Sequence, residues 1–336
     1  MLVSNENKHS DSRLILGVGL TLALIIIAST IISAFSLRES SRAEWSQEMS
    51  NLTLALAENA SQTFFSAEVA LNSIEDVLKL EKLKNQAEYE KFASTEQQFL
   101  SLKEKISTNP IIEVASFVSN NGEVLNSTRA FPPQELNVAD RDYFKQTNAE
   151  KNTSTYYGKP IKTRAQGSWV FYLSRKLFNE EGNFIGMIVV GVSAELFSKF
   201  YERIGNNMGN GASISLYRKD NTLMTRWPFE PNLIGTTQNL QVTGSQSIEK
   251  QRPQGVEIIS SPRLTQGNLT TTRMAATRQL ERYPFFVTSV ITENLYLANW
   301  VKSVRWIWAT AAFSMSLLAI SIVLLLKANR KINQEL

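Results

Sequence analysis

The side chains best suited to binding chemistry are concentrated in one stretch of the chain, residues 140–193. It opens with the run Asp-Arg-Asp-Tyr-Phe at residues 140–144 and contains two strand candidates, at 169–174 and 184–192. A guanidinium can hold a carboxylate through two parallel hydrogen bonds, and aromatic rings can pack against apolar or cationic groups. Because such side chains beside short strands can line a pocket against a sheet, the pattern predicts non-covalent binding of a small molecule.

The composition gives little support to covalent or metal-based catalysis. The chain has no cysteine, and its only histidine, His9, lies in a polar N-terminal segment. A thiol nucleophile, a histidine base within a folded domain and a cysteine or histidine metal site are therefore not expected. Ser174 and Lys176 could form a catalytic dyad, but neighbours two apart on one strand are common. We expect no cofactor and no enzyme activity within these residues, with an extracytoplasmic enzyme as the weaker alternative.

The charge distribution argues against a nucleic-acid partner. The formal net charge is +4, from 35 Lys and Arg against 31 Asp and Glu, and the basic residues are spread along the chain. A nucleic-acid interface usually shows clustered basic residues with interleaved aromatic residues. We therefore expect no nucleic-acid binding.

Two uncharged apolar runs, 14–37 and 306–326, predict membrane-spanning helices. A helix needs about 20 apolar residues to cross the bilayer core, and both runs reach that length. Trp306 and Trp308 begin the second run, as is typical of a membrane interface. A cleaved signal peptide is the alternative for the first run, but the apolar core of a signal peptide spans only roughly 7–15 residues, and this run is longer. With two spans both termini share one side, and we expect the large domain between the spans to lie outside the cytoplasm.

Residues 38–107 contain neither proline nor glycine and are rich in Ala, Glu, Lys and Leu, which predicts a long helical leg. Apolar residues recur in the leg at alternating spacings of four and three, at Ala60, Phe64, Ala67, Leu71, Ile74 and Leu78. Such a stripe is typical of a dimer seam, and equally of a helix that covers a sheet of its own domain. A second helix is expected from about residue 85 and must end before Pro110.

Short strand candidates separated by turns predict two α+β units in tandem. A strand at 111–118, an Asn-Asn-Gly turn and a return strand at 123–127 begin the first unit. The strand, polar turn and strand at 215–224 can be aligned with residues 116–125. Three further strand candidates follow, at 256–260, 270–280 and 285–291.

Four ordered runs carry a resemblance to a known family: DRDYF, YYGKPIKTRAQGSWVFYLSRKL, EEGNFIGMIVVGVSAELFSKFY and ISLYRKDNTLMTRWP. Together they resemble the double Cache sensor domain of bacterial membrane-bound diguanylate cyclases and sensor kinases. The resemblance implies an α+β fold with a long membrane-emergent helix and two PAS-like antiparallel-sheet units, flanked by two transmembrane helices. It further implies that the membrane-distal unit binds a small organic ligand and that the membrane-proximal unit relays the signal.

The resemblance also implies ligand-binding candidates by position, namely Arg141, Asp142, Tyr143, Tyr156, Trp169, Tyr172 and Arg175. The alternative is that residues 140–142 form a structural, salt-bridged turn and that the strand aromatics belong to the core. Side chains alternate along a strand, so Trp169 and Tyr172 face opposite sides and only one of the two sets can face a pocket.

One departure from the family pattern concerns amino-acid ligands. Amino-acid-sensing Cache domains carry an Arg-Trp-Tyr cluster after the distal helix and a later Asp that holds the ligand amine. Here the cluster reads Arg141-Asp142-Tyr143, and Ser193 takes the later acidic position. The resemblance therefore does not imply an amino-acid ligand, and we expect an anionic or zwitterionic organic molecule.

The predicted organisation is a series of seven segments. They are a cytoplasmic tail (1–13), a transmembrane helix (14–37), the helical leg (38–110), the distal unit (111–204), the proximal unit (205–303), a second transmembrane helix (304–326) and the start of an output helix (327–336). We expect a multi-pass receptor of the bacterial inner membrane, with its sensor domain in the periplasm and a homodimeric assembly. The cyclase or kinase output is expected beyond residue 336; a stand-alone sensor that acts through a partner protein, or a structural membrane protein, are the alternatives.

Overall fold

The computed structural model describes residues 3–149, 154–164, 167–239, 253–262 and 270–335. Contacts divide the chain into one unit at Glu48–Thr292 and a second formed by Met1–Gln47 with Glu293–Leu336. Of the predicted proximal unit, residues 240–252 and 263–269 lie outside the described residues. The helices are α1 (Val3–Leu80), α2 (Gln86–Ala93), α3 (Glu96–Ser107), α4 (Asp142–Ala149), α5 (Ala194–Gly205), α6 (Glu293–Tyr296) and α7 (Ala298–Glu335).

The unit formed by the two ends of the chain consists of the first half of α1 together with α6 and α7. The indole N–H of Trp300 donates to the carbonyl of Ala34 at 2.8 Å, and the hydroxyl of Ser41 donates to the carbonyl of Tyr296 at the same distance. The residues of the predicted tail that the structure describes continue α1 rather than forming a separate segment.

Helices α1 and α7 are both long and apolar enough to cross a membrane. Their most apolar windows have mean hydropathies of 2.6 and 2.3. Almost all side chains in these windows are exposed, for example Leu20 in α1 and Trp306 in α7, which distinguishes the helices from core helices of a soluble protein. The two predicted spans therefore coincide with exposed apolar helices.

The second half of α1 forms the back of its own domain. All six residues of the apolar stripe are buried, and Phe64 in its middle contacts Phe171 and Phe285 of two different sheets. The stripe therefore covers sheets of the same chain, the second of the two alternatives. The helix predicted from residue 85 is instead two short helices, because Thr95 caps a new one by accepting a hydrogen bond from the amide of Gln98.

Both sheets are antiparallel, and their strands follow the same order. The first sheet holds β1 (Ile112–Ser119), β2 (Val124–Ser127), β3 (Tyr156–Tyr157), β4 (Ile161–Lys162), β5 (Trp169–Phe178) and β6 (Phe184–Ser193). The second holds β7 (Ser213–Arg218), β8 (Leu223–Trp227), β9 (Gln254–Pro262), β10 (Thr270–Gln279) and β11 (Phe285–Thr292). The first runs β2-β1-β6-β5-β3, with β4 also on β5, and the second runs β8-β7-β11-β10-β9.

The tight turns of the two units confirm the predicted repeat. In the first, the backbone amide of Ser119 donates to the carbonyl of Glu123, and Gly122 takes a positive φ of 90°. In the second, Arg218 and Thr222 make the equivalent backbone bond, and Asn221 takes a φ of 65°. Glycine and asparagine are the residues that tolerate this left-handed conformation. The spacing is the same as in the predicted alignment of 215–224 with 116–125.

Candidate ligand-binding site

A cavity of about 280 Å³ lies on the face of the first sheet that is turned away from α1. Strands β1, β2, β5 and β6, helix α4 and the segment between β2 and α4 supply its walls. Its apolar lining includes Val114, Val118, Val124, Leu136, Val138 and Val189. Its polar lining includes Ser116, Ser127, Arg129, Gln134, Tyr143 and Tyr172. Apolar walls with a few polar groups are typical of a small-molecule site.

The connection from β2 to α4 covers the cavity because backbone hydrogen bonds join it to the β1–β2 hairpin. The amide of Val124 donates to the carbonyl of Leu136 at 3.0 Å, and the amide of Val138 donates to the carbonyl of Gly122 at 2.8 Å. Helix α4 follows directly and brings Tyr143 over the sheet.

Two tyrosines form one wall of the cavity. The rings of Tyr143 and Tyr172 lie with their centroids 4.6 Å apart. Gly191 stands opposite Tyr172 on β6, and a Cβ there would come within 2.9 Å of the Tyr172 ring and 2.7 Å of Val114. Burial raises the pKa of both phenols, so they remain neutral hydroxyl groups at physiological pH. The missing side chain at residue 191 thus leaves room for the ring of Tyr172.

Arg129 is the charged residue among the described lining of the cavity. Its Nη2 donates to Oε1 of Glu113 at 2.7 Å, and the same oxygen accepts the hydroxyl of Ser168 at 2.7 Å. Its Nε is buried and has no hydrogen-bond partner among the described residues. A buried guanidinium N–H without a partner is unfavourable, and an acceptor in the cavity would satisfy it.

Of the seven candidates from the sequence, the structure brings Tyr143 and Tyr172 together at the cavity. Arg141 lies beside the cavity, partly buried. Burial raises the pKa of both tyrosines; the charge of Arg141 opposes that rise for both, and for Tyr172 the charge of Arg129 opposes it more strongly. The guanidinium of Arg141 makes no hydrogen bond or ion pair with the described part of the chain. Asp142 instead accepts a hydrogen bond from the hydroxyl of Tyr156 at 2.9 Å.

Tyr156 and Asp142 belong to the junction between the two sheets. The Nη1 of Arg218, at the end of β7, donates to the hydroxyl of Tyr156 at 3.3 Å and to the carbonyl of Tyr157 at 2.8 Å. The remaining donors of Arg218 hold Asp220, with distances of 3.0 Å from Nε and 2.7 Å from Nη2. Burial alone would raise the pKa of Asp220, but hydrogen bonds from Arg218 and Thr222 outweigh it and lower that pKa.

Trp169 and Arg175 do not share a pocket with Tyr172, which corrects the prediction of one common site. Residues 169 and 175 differ from 172 by odd numbers, so on β5 their side chains point to the α1 side of the sheet. Arg175 forms an ion pair with Glu75 of α1 at 2.7 Å and donates to Asn72 at 2.6 Å. Trp169 packs at the junction of the two sheets, below the ammonium of Lys162 at 5.4 Å.

The two residues considered as a dyad, Ser174 and Lys176, are each bonded to a different residue of α4. The hydroxyl of Ser174 lies 2.6 Å from that of Thr147, and the ammonium of Lys176 donates to the carbonyl of Asn148 at 2.7 Å. These bonds attach α4 to β5 and so fix the wall that carries Tyr143.

Sequence reasoning missed Arg129, Gln134 and the glutamate that pairs with Arg129. Glu113 lies on β1, and Arg129 and Gln134 lie in the segment between β2 and α4, where the available signal was weak. Pro132 and Pro133 sit between Arg129 and Gln134, directly after a hairpin. A rigid loop with polar side chains beside a sheet is a recognisable binding element, but its fold-back over the sheet depends on tertiary contacts.

Two other clefts have a different character. One of about 250 Å³ lies at the end of α1 and is edged by Lys79 and Lys82. The other, of about 650 Å³, is an open groove on the outer side of residues 131–137. Neither is lined, among the described residues, by a tyrosine pair and a partly buried guanidinium such as the cavity on the first sheet provides.

Comparison with solved structures identifies the fold. The extracellular domain of rpHK1S-Z16, which is assigned as a histidine kinase, is 28% identical, covers 79% of this chain and 100% of its own, and has a TM-score of 0.63. The ligand-binding domain of the Pseudomonas fluorescens chemoreceptor CtaA, solved with L-isoleucine, is 10% identical with a TM-score of 0.53, over 79% and 99% of the two chains. That of the Pseudomonas aeruginosa chemoreceptor PctB, solved with L-Gln, is 12% identical with a TM-score of 0.52, over 76% and 93%.

The chemoreceptor likenesses, at these identities, show a shared fold. A search of curated proteins found no match. The chain thus resembles extracellular ligand-binding sensors of chemoreceptors and histidine kinases, and its two apolar helices indicate a membrane-anchored protein with an extracytoplasmic sensor domain. The family model of the Cache domain matches residues 37–300, which include both sheets, and the chain therefore belongs to the double Cache family.

Proposed function

We propose that this chain is a transmembrane receptor that binds a small organic molecule carrying a carboxylate in the cavity of the first sheet. The observation that carries the proposal is the buried Nε of Arg129, which lies beside the Tyr143–Tyr172 pair and has no hydrogen-bond partner in the described part of the chain. Pockets for drug-sized ligands span about 300–1,000 Å³, so a cavity of about 280 Å³ suits a smaller molecule.

We further propose that ligand binding changes the equilibrium between two arrangements of the domain and that helices α1 and α7 carry this change to a cytoplasmic output of the kinase or cyclase type. The support is chain continuity, because α1 is unbroken from Val3 to Leu80 and β11 leads through α6 into α7. A ligand can drive such a change only through its differential affinity for the two arrangements.

The proposed setting is the inner membrane of a bacterium, with both apolar helices spanning it, the Cache domain in the periplasm and the receptor acting as a homodimer. The exposed apolar surfaces of α1 and α7 and the likeness to an assigned histidine kinase support this setting.

The test is ligand binding by the full chain in lipid nanodiscs. A panel of three- to six-carbon organic acids and amino acids is screened by thermal shift, and each hit is measured by calorimetry. We expect at least one hit in the panel, and Arg129→Gln should weaken it by at least tenfold, since loss of a charge-assisted hydrogen bond in a buried site costs about 2–5 kcal/mol. Arg203→Gln, at an exposed position of α5, is the matched control and should bind normally. A panel without hits, or unchanged affinity in Arg129→Gln, would contradict the proposal.

A further inference from the structure

The charges around the cavity bear on which carboxylates can enter it. Arg129 is charged, and no Asp or Glu is among the described residues that line the cavity. An amino-acid ligand brings an ammonium as well as a carboxylate. A buried charge without a counter-charge is strongly unfavourable, so an ammonium here needs a carboxylate from the surroundings.

Three carboxylates that flank the lining are already engaged, and two others, Glu123 and Glu135, are exposed and line the open groove on the outer side of residues 131–137. Asp140 pairs with Arg164 at 2.7 Å, and Asp142 accepts the hydroxyl of Tyr156. Glu113, the third, receives Arg129 and a serine hydroxyl on one oxygen. An ammonium could recruit Glu113 only by taking it from Arg129, which would leave a partly buried guanidinium without its ion pair.

A carboxylate ligand without an amine, in contrast, finds a donor in the cavity and needs no additional acidic partner. It can accept from the Nε of Arg129, which has no partner among the described residues, while Glu113 keeps its bond to Nη2. The carbon body of such a molecule would lie against the apolar side chains of Val114, Val118 and Val189. Removal of this apolar surface from water then adds to the affinity.

We infer that the site selects short, apolar monocarboxylates that lack an amine, and that Glu113 stays paired with Nη2 of Arg129 and does not contact the ligand. This inference rests on the proposed function and narrows its ligand class.

The experiment uses matched ligand pairs that differ only in the ammonium group. The full chain in nanodiscs is titrated with 3-methylbutanoate against L-valine and with 4-methylpentanoate against L-leucine. We expect the plain acid of each pair to bind at least tenfold more tightly than its amino acid. This comparison needs no variant, so it does not depend on the folding of a mutant.

Glu113→Gln provides the second readout, because a role as the ion-pair partner of Arg129 and a role in holding an ammonium predict different results. We expect the variant to bind the plain acids as tightly as the wild type or more tightly, since Nε of Arg129 remains available to the ligand and the negative charge of Glu113 is removed. If instead the amino acids bind best and Glu113→Gln weakens them, Glu113 holds an ammonium and the inference is overturned, while the proposed receptor function stands. If neither member of either pair binds, the apolar monocarboxylate class is wrong, and hits among the other acids of the wider panel would still support the receptor function.

Discussion

Phe64 gives the sharpest test of how the domain is held together, because one side chain of α1 contacts both sheets. Its side chain is 0% exposed, and its ring stacks on Phe285 of the second sheet with centroids 4.2 Å apart. It also contacts Phe171 of the first sheet at 5.8 Å and Phe197 of α5 at 6.1 Å. Phe64→Ala therefore opens a cavity where the sheets, α1 and α5 meet.

The expected loss is large. Replacing a fully buried phenylalanine by alanine costs about 3–5 kcal/mol of the free energy of unfolding, and the stacked contact with Phe285 places Phe64 in the upper part of that range. The better helix propensity of alanine returns about 0.5 kcal/mol. We expect a net loss of about 4 kcal/mol, which corresponds to a fall in melting temperature of roughly 8–16 °C.

The assay is urea and thermal unfolding of residues 38–303, followed by circular dichroism, with Phe65→Ala as the matched control. Phe65 follows Phe64 in the same helix but is 49% exposed, with the guanidinium of Arg282 5.3 Å from its ring. Its loss should cost less than about 1 kcal/mol. Equal effects of the two substitutions, or a loss below about 1 kcal/mol for Phe64→Ala, would refute the view that α1 joins the two sheets through this ring.

Three further predictions concern the same domain. Residues 38–303 should fold without the membrane helices and melt cooperatively by circular dichroism, since the structure of the rpHK1S-Z16 domain covers the equivalent region; a non-cooperative melt would contradict this. Leu71→Asp should lower the melting temperature strongly because Leu71 is fully buried, whereas Val69→Asp, at an exposed position of the same helix, should change it little; similar effects would mean that the stripe is not packed. Glu75→Gln should destabilise the fold at pH 7 and progressively less below pH 4.5. Burial would raise the pKa of Glu75, but its hydrogen-bonded cationic partners, Arg175 among them, lower that pKa. The ionised carboxylate therefore stabilises the fold above its unfolded pKa, and this contribution disappears as the pH falls through the folded pKa. A destabilisation independent of pH would show that the ion pair is not its source.

Much of the fold could be predicted from local patterns. Most strands followed from apolar runs and turn residues, although β3 and β4 were not predicted and β5 extends to Phe178, beyond the predicted end at 174. The repeated hairpin was visible because each turn carries a residue that tolerates a positive φ, Gly122 and Asn221. The apolar stripe of α1 was visible, but the sequence could not decide its partner. A stripe records only that one face is buried, and the identity of the covering surface depends on contacts distant in the chain, such as that between Phe64 and Phe285.

The site was predicted less completely, for two physical reasons. Strand periodicity separates Tyr172 from Trp169 and Arg175 but does not say which face carries a cavity. Arg129 was missed because it lies on an irregular segment, whose approach to the sheet is fixed by backbone bonds to the hairpin and by an ion pair with Glu113. None of these contacts leaves a local signature in the sequence.

The junction around Arg218 has a consequence for receptor engineering. A chimera that joins the ligand-recognising half of this domain to a foreign second half would most naturally be cut in the glycine- and asparagine-rich linker at 205–211. That cut would remove the guanidinium of Arg218, which donates to both the hydroxyl of Tyr156 and the carbonyl of Tyr157. The transplantable module therefore extends beyond the linker and has to include Arg218 together with the carboxylate of Asp220 that orients it.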